Sequence, residues 1–235
     1  MKKKIINTLK SIGLILLILT FSSFMFVLLN IDVNSISDVK YLFYLSIFDL
    51  LLLIIYFFIY KDTLIKDFKK YFSDFNKNFE LSFKYWLVGF GIMVISNLIL
   101  TYVLKMTTAG NEEVVRGYID TAPLLMIFCT CIYAPVCEEL TFRKSIRDVI
   151  DNKYLYVLVS GLIFGLLHVI GFISTPLDLL YLIPYGSLGI VFALLYYRTN
   201  NIFSSITIHA MHNALSVLVY LLLGGLVWKK LLDFS

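Results

Sequence analysis

Ala134-Pro135-Val136-Cys137-Glu138-Glu139-Leu140-Thr141-Phe142-Arg143 sets two adjacent carboxylates directly after a long apolar run. At bilayer depth a charge costs about 2.5–3.5 kcal/mol on insertion scales, so each of these groups needs a partner or a task. If the run is helical, Glu139 and Arg143 stand four residues apart and face each other, and the guanidinium neutralises that carboxylate. Glu138 points about 100° away around the helix and has no such partner. The spacing makes Glu139 and Arg143 a structural ion pair and leaves Glu138 as the carboxylate available for chemistry.

The surrounding chain places this stretch in a membrane. Of 235 residues, 60% are hydrophobic and only 15% charged, and the mean hydropathy is +0.86, far more apolar than one soluble core requires. The formal charge of +4 reads as loop lysines meeting anionic headgroups. No basic stripe with interleaved aromatics points to nucleic acid. Cys129, Cys131 and Cys137 fit neither a zinc ribbon nor a disulfide framework and read as small apolar helix residues.

The apolar runs predict an all-α, polytopic transmembrane bundle of seven to eight spans. A basic head precedes a first run over 11–29, too long for a signal-peptide core and read as a retained span. A second span covers 41–60. Residues 61–79, rich in lysine, read as a cytoplasmic amphipathic stretch that fixes a cytoplasmic N-terminus under the positive-inside rule. A third span covers 83–103, with Tyr85 and Trp86 as interfacial anchors. An extracytoplasmic polar loop over 105–120 follows. The fourth span starts near Pro123 and meets Pro135, which removes a backbone donor and should orphan the Cys131 carbonyl, giving a kink or wet pocket before Glu138. The segment 143–153 returns to the cytoplasm. The fifth span, 154–173, carries Gly161 and Gly165, a small-x-x-x-small pair suited to close helix approach. Pro184, Gly186 and Gly189 make the sixth span, 179–197, bent or closely packed. The last stretch, 202–228, is one long helix or a helix broken near Gly224-Gly225. Lys229 and Lys230 beyond it leave room for an eighth partial span.

All three histidines fall in the last two constellations, Gly161-Leu162-Ile163-Phe164-Gly165-Leu166-Leu167-His168 and His209-Ala210-Met211-His212-Asn213. Each intramembrane ionisable group is costly and by default a functional-site candidate. Phe164 and His168 share a helix face, as do His209 and Asn213. His212 ranks below them, since a backbone carbonyl could satisfy it.

Together, Glu138-Glu139 with Arg143, Phe164 with His168, and His209 with Asn213 resemble the motif set of the CPBP family of intramembrane proteases. This family, also called Abi, includes the type II CAAX prenyl endopeptidases and bacterial enzymes of bacteriocin and peptide-pheromone systems. The resemblance covers residues 123–217 in the family's order. It implies a helical bundle whose catalytic groups meet in a cavity open toward the cytoplasmic side. Domain boundaries follow: N-terminal helices over 1–122, which carry no family motif and add no functional information, a catalytic core over 123–217, and a terminal segment over 218–235.

Peptide hydrolysis needs an activated water and donors aimed at the tetrahedral oxyanion. Glu138 types as the base, His168 as the group that orients the water or passes the proton on, and His209 with Asn213 as oxyanion donors, in agreement with what the resemblance implies. Glu139 and Arg143 hold the helix, and Phe164 packs beside His168. No cofactor is favoured. The zinc-dependent alternative would use Glu138, His168 and His209 as ligands around an open position, but the H-E-x-x-H helix of zincins is missing. The expected partners are the bilayer and a membrane-associated peptide or protein precursor, in a bacterial cell membrane. A non-catalytic immunity or scaffold protein is the alternative from another class. A transporter would call for interrupted helices in matching halves, which the sequence lacks.

Overall fold

The computed structural model describes residues 2–225, all of them in helices and their connections, with no strand. Among the described residues, seven helices are long and apolar enough to cross a membrane, and the protein is a multi-pass membrane bundle. The expected break near Gly224-Gly225 falls at the edge of the described residues. Lys229, Lys230 and the eighth partial span lie outside them.

Helix α1 spans Lys2–Leu28 and α2 spans Asp38–Phe72. The amphipathic stretch expected over 61–79 is not a separate element. Its first part continues α2 past a kink at Tyr60 (φ −120°, ψ 16°), and its second opens α3, Phe75–Leu98. Buried apolar and aromatic side chains override the lysine pattern there: Leu64 and Tyr71 face the bundle interior while the lysines stay exposed. Asp67, itself buried, fixes this end of α2. Its Oδ2 accepts the Ile202 N–H at 2.9 Å and its carbonyl accepts the Asn201 amide at 2.9 Å, so α2 caps the last helix.

The polar segment after α3 forms α4, Gly110–Thr121, rather than an open loop. Its apolar face, including Ile119, packs with Leu42, Met126 and Cys129. Helix α5 runs over Pro123–Ser145 and widens twice into π-helical turns, at Cys129–Tyr133 and Glu139–Ser145. Helices α6 (Lys153–Val169), α7 (Leu182–Thr199) and α8 (Ile202–Tyr220) complete the bundle. Helix α7 is the most buried of the spans.

Close approach of α6 and α7 depends on glycine. A Cβ on Gly161 would sit 2.6 Å from Ile190 Cγ1 and 2.9 Å from the Ile190 backbone nitrogen, and one on Gly189 would sit 2.8 Å from the Gly161 carbonyl oxygen. The small-residue spacing of α6 therefore meets a complementary small residue on α7, as expected for helices packed by van der Waals contact in lipid.

Polar ties then hold α5 in the interior. The Tyr56 hydroxyl lies 2.6 Å from the Thr141 hydroxyl, and the Ser11 and Ser145 hydroxyls are 2.8 Å apart. The Ser160 hydroxyl donates to the Phe142 carbonyl at 2.7 Å. Helices α1, α2 and α6 thus each hold α5 by a hydroxyl where stray polar groups would be costly.

Candidate active site

Glu139 and Arg143 pair within α5, Nε to Oε2 at 3.1 Å, with both side chains fully buried. Arg143 is the largest fully buried side chain. Its guanidinium lies over the Phe164 ring at 4.3 Å and near Phe192 at 5.5 Å. A planar cation between aromatic faces suits arginine and not lysine. Glu139 has a second partner that helix geometry alone did not foretell: its Oε1 lies 2.9 Å from His209 Nδ1. Holding the helix is thus only half of what Glu139 does, since it also ties α8 to α5.

The other nitrogen of His209 faces the neighbouring carboxylate. Nε2 is 4.0 Å from Glu138 Oε2, so His209 stands between the two adjacent glutamates. Among the described residues no hydrogen-bond donor meets that Glu138 oxygen, although it is buried. A carboxylate facing Nδ1 requires the proton there, which leaves a lone pair on Nε2 in the neutral ring; Nε2 donates only as imidazolium. His168 is set in the same way. Its Nδ1 lies 2.8 Å from the Phe164 carbonyl, and a carbonyl can only accept, so Nδ1 carries the hydrogen and Nε2 is free. The His168 ring also lies 4.5 Å from that of Phe164 and stacks on Tyr185 at 5.0 Å.

Asn213 is placed by the distortion of α5. In the π-helical turn the Ala134 N–H reaches back five residues to the Cys129 carbonyl. Pro135, next in line, has no N–H to give. The orphaned acceptor is therefore Thr130, one residue earlier than the Cys131 expected from α-helical spacing. The Asn213 amide fills it at 2.7 Å, so one of its two amide hydrogens is already used.

His212 does not bond a backbone carbonyl. Its Nδ1 accepts from Trp86 Nε1 at 3.3 Å, and Phe90 meets it edge-on at 6.1 Å. Trp86 is correspondingly buried rather than an interfacial anchor, because a ring nitrogen inside the bundle offers its N–H a better partner than the headgroup region.

Glu138, His168, His209 and Asn213 all line one cavity of about 1,070 Å³, together with Phe164 and His212. The N-terminal helices line it too, through Leu45 and Asp49 of α2, Met93 and Asn97 of α3, and Thr101 of the π-helical turn that follows α3. The expectation that these helices add no functional information is therefore corrected. A lone acid in an apolar span, Phe48-Asp49-Leu50, was the signal available for Asp49. Tyr185 had no signal to separate it from the many other tyrosines. The cavity runs from Glu138 to α4, where Asn111, Glu112 and Arg116 form its far wall. That end is opposite the lysine-rich turn between α2 and α3.

Among the described residues, no three His, Cys, Asp or Glu side chains cluster in a way that could hold a metal ion. Glu138, His168 and His209 share the cavity wall, and the Nδ1 contacts of both histidines leave Nε2 as the nitrogen available to water or to an ion.

Comparison with known proteins agrees with this architecture. A family model described as type II CAAX prenyl endopeptidase Rce1-like matches residues 120–215. The chain is 32% identical over 143 residues to "UPF0177 protein YxdF" of Lactococcus lactis, covering 58% of this chain and 77% of that protein. It is 34% identical over 114 residues to "Putative membrane peptidase YdiL" of Bacillus subtilis, covering 47% of this chain and 43% of that protein. The match thus spans less than half the length of that relative. No solved structure matches the chain. The protein is a polytopic membrane protein of the type that carries CAAX-protease motifs. It belongs to the CPBP family, whose members include the Rce1-like endopeptidases.

Proposed function

We propose that this protein is an intramembrane endopeptidase that hydrolyses a membrane-associated peptide or protein precursor with water activated by Glu138 and His168. The observation that carries this reading is the convergence of Glu138, His168, His209 and Asn213 on one cavity, with a Glu138 oxygen left without a donor. Water placed between Glu138 and His168 Nε2 gives one proton to the carboxylate as its oxygen attacks the peptide carbonyl carbon. The second amide hydrogen of Asn213 and protonated His209 Nε2 face the resulting oxyanion. Collapse breaks the C–N bond, and the proton taken by the glutamate passes to the departing amine, directly or through His168.

Positive charge supports one orientation. Lys2, Lys3, Lys4 and Lys10, the lysines of 61–77, and Lys144, Arg147, Lys153 and Arg198 gather at the end away from α4. Among the described residues, Lys40, Lys105 and Arg116 are the cations at the α4 end. The positive-inside rule puts the N-terminus in the cytoplasm, so substrate reaches the cavity from the extracytoplasmic side.

The test is cleavage of fluorogenic membrane-peptide substrates by purified wild type and Glu138→Ala, both shown to be folded, with and without a strong zinc chelator. The expected result is a loss on the order of 10²–10⁴-fold on mutation and unchanged cleavage with chelator. Loss on chelation, restored by zinc, would move the mechanism to a metal. If wild type cleaves nothing and Glu138→Ala protects cells from a cognate peptide as well as wild type does, the protein is a binding scaffold.

A further inference from the structure

Asp49 is an acidic side chain midway along an apolar span, and the reaction outlined above has no use for it. It is 5% exposed and lines the same cavity as Glu138. Its polar neighbours are two neutral donors, the Cys129 thiol and the Tyr133 hydroxyl. No lysine, arginine or histidine pairs with it among the described residues. The carboxylates on the cavity wall are Asp49, Glu112 and Glu138, and the lone guanidinium there, Arg116, is held by Glu112 at 2.9 Å. Glu138 is needed for water. Asp49 is thus a buried carboxylate facing open space with no cation supplied by the described residues. Such groups inside membrane proteins mark binding positions, because desolvating them is repaid only by a partner.

We infer that Asp49 is a substrate subsite that binds a cationic side chain, lysine or arginine, of the peptide to be cleaved. This rests on the endopeptidase reading above. The register follows from α5. Tyr133, beside Asp49, is five residues from Glu138 toward the α4 end, about 7.5 Å along the helix axis at 1.5 Å per residue. An extended peptide rises about 3.3 Å per residue, so the cation sits ~2 residues from the scissile bond, toward the α4 end of the cavity. The Tyr133 ring and the Cys129 thiol give the alkyl stem of the cation an apolar flank.

The probes are labelled twelve-residue leucine- and alanine-rich peptides in which one lysine, or norleucine as its uncharged counterpart, is moved along the sequence. Binding is measured by fluorescence anisotropy on a Glu138→Ala background, with and without Asp49→Asn, and cleavage is measured with Glu138 intact. Asp49→Asn keeps the shape of the side chain. Asp49→Glu, which keeps the charge, serves as the second variant, and thermal unfolding checks that both fold. The expected result is at least tenfold tighter binding of the lysine peptide over its norleucine counterpart at one register. That preference disappears in Asp49→Asn and is retained in Asp49→Glu, and the same register, two or three residues from the bond, is favoured in cleavage. Equal binding of lysine and norleucine peptides, or a preference that survives Asp49→Asn, overturns the subsite. Absence of binding by any peptide overturns it as well. An Asp49-dependent binding preference without cleavage by wild type would instead sink the endopeptidase reading and leave a cation-recognising binding site.

Discussion

The Asn213 amide donates to the Thr130 carbonyl at 2.7 Å, across the gap between α8 and α5, at the point where Pro135 and a π-helical turn leave that carbonyl without a backbone partner. The bond makes Asn213 a structural member of the site before any substrate arrives. Asn213→Ala leaves the carbonyl unmet and is expected to cost about 1–3 kcal/mol of stability, read as a lowered unfolding temperature in detergent. Asn213→Gln should not restore it, because the extra methylene carries the amide past the carbonyl. An unchanged melt for Asn213→Ala would mean that the bond contributes nothing to folding.

Arg143 is the cation that lets Glu139 be buried. Arg143→Leu removes it and should cost about 3–5 kcal/mol, the usual penalty for breaking one half of a buried pair. The double variant Glu139→Gln/Arg143→Met should recover most of that stability, since two neutral groups replace two charges. Cleavage should not return with it, because His209 has lost the carboxylate that directs Nδ1. A fully stable Arg143→Leu would show that the ion pair is dispensable.

Two glycines separate packing from propensity. Gly161→Ala puts a methyl group 2.6 Å from Ile190 Cγ1 and 2.9 Å from its backbone nitrogen, so α6 and α7 must part and the melting temperature should fall. Gly117 lies exposed in α4 with nothing within 4 Å of a built Cβ. Gly117→Ala should therefore stabilise by about 1 kcal/mol through helix propensity. The opposite ranking of the two variants would contradict the close contact of α6 with α7.

Orientation is decided by labelling in intact cells. With Cys131 replaced by serine, Glu113→Cys on α4 should react with a membrane-impermeant maleimide from outside, whereas Lys77→Cys should react only after lysis. Both positions are exposed. The reverse pattern would turn the bundle over and put the cavity mouth in the cytoplasm.

The helical class, the seven spans and the ion pair from Glu139 to Arg143 were legible because they depend on local periodicity and on the cost of charge in lipid. The sharing of one cavity by Glu138, His168, His209 and Asn213 followed from motif order, not from any single spacing. What escaped was what depends on register and on contacts distant in sequence. The π-helical turn moved the orphan carbonyl from Cys131 to Thr130, a one-residue slip that no α-helical count reveals. Trp86 read as an anchor because its partner, His212, lies 126 residues away. The lysine pattern of 61–79 concealed Asp67, whose role depends on Ile202.

The 2.9 Å contact between His209 and Glu139 also sets a time. A chain made from its N-terminus places α5 in the membrane well before α8 emerges, and until then Glu139 has Arg143 as its partner while Glu138 stands without His209. A nascent chain therefore carries the carboxylates without the imidazole. Any hydrolytic capacity must wait for the last described helix to dock.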